Sequence, residues 1–186
     1  MKFRQTESTS SGKTQPKPGT HVARLLGIID IGLRPPFVYE GKDIQPEYKL
    51  ELVYELVNSN LEDGRPHVVS EEVTNKLSRE GAKLETKLTK RIAALNGDMR
   101  DPRSMLNQAC IVTVKQKEGG WAKIDSVGGV PEGLPVKPLV NPTFFFDLED
   151  PNLELFNSFP EFRRNKIMDN LEFVGSKLQE LIDKSA

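Results

Sequence analysis

The residues that could do chemistry in this chain are few. Cys110 is the only cysteine, and His21 and His67 are the only histidines. A zinc site built from Cys and His would lack ligands, no disulfide can close within the chain, and a reducing compartment is the natural setting. Acids able to hold magnesium occur at Glu71-Glu72 and from Asp147 to Asp150. The first pair falls in a strand-like run and the second group in a tail, with no evident convergence and no nucleophile beside a base. The SGKT at 11 to 14 has Glu7 where a phosphate loop needs its first glycine, and no strand precedes it. Neither catalysis nor a cofactor is expected. What remains is binding chemistry, concentrated in CIVTVKQKEGGWAKIDSV, residues 110 to 127, where the single tryptophan, Trp121, stands among Lys115, Lys117 and Lys123.

Read with period two, that stretch is a hairpin. Val112, Val114, Ala122 and Ile124 share one parity and suit a core; Thr113, Lys115, Lys117, Trp121, Lys123 and Asp125 share the other. Lys-Glu-Gly-Gly supplies the left-handed positions of a tight turn. An indole beside ammonium groups has two readings. It caps the edge of a core, as tryptophans are usually well covered, or it is a stacking platform whose lysines hold the phosphates of the stacked base.

The elements that must position these residues follow from periodicity. Residues 1 to 17 are rich in Ser, Thr, Gln and Lys and read as a disordered basic arm, with four basic residues against Glu7. HVARLLGIIDIGL (21 to 33) reads as a strand with one face partly wet, RPPFVYEGKDIQP as a punctuated loop, and EYKLELVYELV (47 to 57) as a second strand. In that strand Tyr48, Leu50, Leu52, Tyr54 and Leu56 face inward, and Lys49, Glu51, Val53 and Glu55 face outward. Asp63-Gly64 turns the chain into HVVSEEVT, a third strand. In GAKLETKLTKRIAALNG, Leu84, Leu88, Ile92 and Leu95 recur at helical spacing, and Arg79, Lys83, Lys87 and Lys90 make a basic ridge beside them. Strand, strand, strand, helix, strand, strand is the order of an OB-fold, a five-stranded Greek-key barrel with a helix between strands three and four. The expected fold is therefore mainly β with helices, the barrel spanning residues 18 to 130.

Residues 131 to 186 are expected to form a proline-rich extended run and an acidic helix. The run ends in Phe144-Phe145-Phe146, too apolar to float free, so it wraps the barrel or docks on a second copy of the chain. Residues 160 to 184 read as one helix with Ile167, Leu171, Val174, Leu178 and Leu181 as its stripe. Residues 147 to 186 carry nine acids against five basic residues, while 18 to 146 are balanced at 17 of each. At 37% hydrophobic and 28% charged, the composition fits a soluble protein with a modest core, and no apolar run reaches the roughly 20 residues of a membrane span.

The segments YKLELVYELVN, DGRPHVVSEEVTNKLSREGAKLETKLTKRIAALNG, CIVTVKQKEGGWAKIDSVGGVPEGLPV and VNPTFFFDLEDPNLELFNSFPEF, in that order, resemble the single-stranded DNA-binding proteins encoded by tailed bacteriophages. The resemblance covers residues 20 to 168, and its most specific part is FFFDLEDP followed by Phe-Pro-Glu-Phe. It implies an OB-fold that binds single-stranded DNA with little sequence preference during phage replication or recombination, in the cytoplasm of a host cell, alongside replication or recombination proteins. One departure stands out: seven of the nine acids after residue 146 sit within 147 to 172 and the chain closes on LIDKSA, which puts recruitment of partners by an acidic tip in doubt.

For such a function Trp121 is the first candidate for stacking, with Phe37 and Tyr39 in the loop after strand one second. The candidate phosphate contacts are Lys115, Lys117, Lys123, Lys49, Arg24 and Arg65, with Lys42 in the loop. The alternative is an OB-fold module that grips protein and recruits or regulates a replication or recombination enzyme, since the fold hosts several ligand classes.

Overall fold

The computed structural model describes residues 15 to 79, 82 to 117 and 121 to 185. The expected arm up to residue 14, with its SGKT, and the Glu118-Gly119-Gly120 turn lie outside the described residues. Gln15 to Lys17 do not float: Pro16 is buried, and the Gln15 side-chain oxygen accepts the Ala122 N–H at 3.1 Å.

The strands in chain order are β1 (Gly19–Arg34), β2 (Phe37–Tyr39), β3 (Lys42–Ile44), β4 (Glu47–Asn60), β5 (Pro66–Thr74), β6 (Ala109–Gln116), β7 (Ala122–Gly128) and β8 (Phe144–Phe146). The helices are α1 (Lys87–Ala94), α2 (Leu153–Ser158), α3 (Glu161–Met168) and α4 (Lys177–Ser185). The five long strands run β5-β4-β1-β6-β7, all antiparallel, and β2 and β3 form a separate small hairpin. The end strands β5 and β7 lie side by side, and α1 packs against both, but no ladder joins them.

β1 is buried along both faces, which the expectation of one wet face missed. Register shifts between Leu25 and Gly27 and between Asp30 and Gly32 break its alternation. Ala23, Leu25 and Ile28 enter one core with Leu52, Tyr54, Leu56, Val112, Val114 and Ile124. Leu26, Ile29 and Ile31 enter a second core on the other face with Val53, Phe146, Phe156, Phe159, Ile167 and Leu178. The C-terminal segment makes this second core by wrapping the sheet. β6 pairs with the first part of β1, and β8 takes over the same edge further on, parallel to Gly27, Ile28 and Ile29. A Cβ on Gly27 would lie 2.2 Å from the Phe144 ring, so only glycine lets the strap approach.

That wrapping corrects the outward face of β4. Glu51, Val53 and Glu55 are buried, while Tyr48, expected inward, is exposed and donates its hydroxyl to Glu172 at 2.7 Å. Glu51 accepts two hydrogen bonds from Arg163, at 2.7 and 3.0 Å. Glu55 accepts the N–H groups of Val140 and Asn141 and the Asn141 side-chain amide, at 2.6 to 3.1 Å. Arg24 donates to the carbonyls of Asn107, Val136 and Lys137. Buried charges must be paired, and these pairs fasten the strap.

Two helices are shorter than expected. α1 starts after Thr86, whose hydroxyl accepts the Thr89 N–H, so Leu84 lies outside it and is 86% exposed, and Arg79 and Lys83 share no helix with Lys87 and Lys90. The helix expected over 160 to 184 is two: α3 stops at Asp169, Gly175 turns the chain at φ +81°, and Leu171 and Val174 stay exposed. Of the expected stripe, Ile167 and Leu178 reach the core.

Candidate nucleic-acid interface

Between the ends of the sheet opens a cleft of about 350 Å³. Ser70, Glu71 and Glu72 of β5 form one wall; Lys117, Trp121, Ala122, Lys123 and Ile124 of the β6–β7 hairpin form the other; Lys87, Lys166 and Glu51 complete it. Alternation puts Trp121 here. Val112, Val114 and Ile124 point into the core, which turns Lys117, Trp121 and Lys123 outward, and the Lys117 N–H donates to the Trp121 carbonyl at 2.9 Å to fix the hairpin end. The indole is 68% exposed. Of the two readings of Trp121, coverage at a core edge does not describe it.

Charge is sorted within the hairpin. Lys115 and Lys123 face each other across the ladder, an arrangement that repels unless one is neutralised. Asp125 neutralises Lys115 at 2.9 Å, leaving Lys123 and Lys117 as cleft cations without an ion-pair partner among the described residues.

The opposite wall is acidic and mostly spent. Glu71 is buried, where Arg91 donates to it at 2.6 and 3.1 Å, Lys87 pairs with it at 2.7 Å, and the Tyr54 hydroxyl donates at 3.1 Å. Burial raises the Glu71 carboxyl, but Arg91 and then Lys87 outweigh it and hold it below the ordinary carboxylate range. Glu51 behaves alike: burial raises it, and Arg163 brings it down past its ordinary value. Glu72 pairs with Lys166. Among the described residues no cluster of His, Cys, Asp or Glu is placed to hold a metal ion. Cys110, buried and pushed up to about 12, is no nucleophile.

A second hollow, of about 370 Å³, is lined by Arg34, Pro35, Pro36, Phe37, Lys49 and Glu72, so Glu72 borders both. Phe37, Val38 and Tyr39 project into solvent from the β2–β3 hairpin, with Lys42 exposed opposite Tyr39. Lys49 lines this hollow, but its ammonium is held by Glu47 at 2.6 Å and Thr74 at 2.7 Å.

The structure thus brings Trp121, Lys117 and Lys123 together and sets Phe37 and Lys49 in the neighbouring hollow. It does not bring in Arg24, whose guanidinium is spent on the strap, or Arg65, which pairs with Asp63 in the β4–β5 turn at 2.8 Å. Lys166 and Ser70 were not anticipated at a site, and Glu72 was weighed only as a magnesium-holding acid. Lys87 sat in the basic ridge, but Lys166 gives no local signal: it reaches the cleft because α3 folds back over the sheet. No described helix is long and apolar enough to cross a membrane. Comparison with protein-family models, with curated proteins and with solved structures finds no match.

Proposed function

We propose that this chain binds single-stranded DNA with little sequence preference, through the cleft between β5 and β7, and that the five long strands are the wall of an OB-fold barrel whose mouth is that cleft. The observation that carries the reading is the exposed indole of Trp121 in one cleft with Lys117 and Lys123, whose ammonium groups have no ion-pair partner among the described residues. A base stacks on the indole whatever its identity, since every base has a flat face, and the lysines replace counterions on the adjoining phosphates. Strand order and the placement of α1 between the third and fourth long strands support the barrel. The resemblance to phage single-stranded DNA-binding proteins points the same way and suggests replication or recombination in a host cell as the setting.

The test is a titration of labelled oligothymidine by anisotropy at two salt concentrations. Trp121→Ala is expected to weaken binding by about 1 to 3 kcal/mol with the fold intact. Equal affinity in wild type and variant contradicts the reading. Absence of salt-dependent capture by wild type transfers the cleft to a protein ligand.

A further inference from the structure

Three carboxylates line the cleft, Glu51 held by Arg163, Glu71 by both Arg91 and the 46% exposed Lys87, and Glu72 by Lys166, and their pairs differ in how easily they can exchange. Glu71–Arg91 has side-chain exposures of 5% and 7%, and Glu51–Arg163 of 3% and 13%. Water cannot take over these charges, so the pairs are permanent. Glu72–Lys166 is different, at 37% and 27%. A pair exposed by about a third contributes little and yields readily to a competing anion.

Its position matters as much as its exposure. Glu72 is shared by the two hollows, one holding Trp121 and the other Phe37. A strand stacked on both rings has to cross Glu72, where a carboxylate repels phosphate and its partner ammonium attracts it. Resting on the single-strand reading above, we propose that Glu72 is a built-in competitor for phosphate: it holds Lys166 in place in the free protein, and a crossing strand takes Lys166 over.

The exchange has a thermodynamic signature. When Lys166 moves to a phosphate, the DNA releases a counterion, but the bared Glu72 takes one up. The pair therefore adds almost nothing to the salt dependence, whereas a Lys166 without Glu72 adds its full share.

The experiment is an oligothymidine titration of wild type, Glu72→Gln, Lys166→Gln and the double variant over a series of salt concentrations, with thermal unfolding run beside each. Glu72→Gln is expected to bind about two- to fivefold tighter at low salt and to steepen the log–log salt slope by about 0.7. Lys166→Gln is expected to weaken binding, and Glu72→Gln to gain clearly less in that background than in the wild type, since only the repulsion of phosphate is then relieved. Two results overturn the proposal while the single-strand reading stands: a Glu72→Gln variant with wild-type affinity and slope, or an equal gain from Glu72→Gln with and without Lys166, which would mean that Glu72 acts only through its general field. A wild type that does not bind the oligonucleotide overturns both.

Discussion

Trp121 leaves most of a large aromatic surface in water, an arrangement that folding alone does not favour and a stacked ligand would. The buried carboxylates make a different claim, about stability. Glu71→Gln leaves Arg91 buried without a counter-charge, a loss of about 3 to 5 kcal/mol by the usual cost of breaking such a pair, readable in the urea midpoint. The pH dependence has a fixed sign. Glu51 and Glu71 titrate lower in the folded chain than their ordinary value of 4.5, so their stabilisation is whole above that value and is lost as pH falls through their lowered folded values. Acid unfolding should therefore set in below about pH 4.5, and Glu71→Gln should flatten that limb; a chain whose stability is level between pH 5 and pH 3 contradicts the assignment. At this scale the sequence was partly legible. Trp121, Lys117 and Lys123 could be read from alternation in one hairpin, and Lys49 and Arg65 are spent on acids two residues back, Glu47 and Asp63, whereas the spent state of Arg24 depends on the distant carbonyls of Asn107, Val136 and Lys137, which no local pattern names.

Among the elements, β1 is the one on which the others depend, since it pairs with β4, β6 and β8 at once. Its two register shifts let residues of mixed parity feed two cores, and Gly27 sits where the strap crosses closest. Gly27→Ala should cost about 1 to 3 kcal/mol through forced displacement of Phe144, with the loss read as an earlier denaturant midpoint; an unchanged midpoint would show that the strap yields freely. Strand positions were readable because period-two runs and turn residues survive in the sequence. Helix lengths were not: Leu84, Leu171 and Val174 have the right spacing but lie beyond Thr86 or between α3 and α4, and capping and a left-handed glycine overrode periodicity.

For the molecule as a whole, residues on both sides of position 130 share one core. Residues 139 to 182 supply the outer half of the second core, and their removal would bare Leu26, Ile29, Ile31 and Val53 and strip Glu51 and Glu55 of their partners. A chain ending at Val130 should lose cooperative unfolding or aggregate; a cooperative, soluble fragment would show the strap to be dispensable. The sequence showed that the proline-rich run had to be covered but left open whether by its own barrel, and the folded chain answers that it covers the β1–β4 face. The cleft stays open beside α3, and its lone indole reports on it directly. The decisive measurement is the emission of Trp121 during titration with oligothymidine, against duplex and at rising salt. Quenching that saturates with single strands and fades with salt is the predicted result; binding that leaves the emission unchanged, or no binding at low salt, would contradict it.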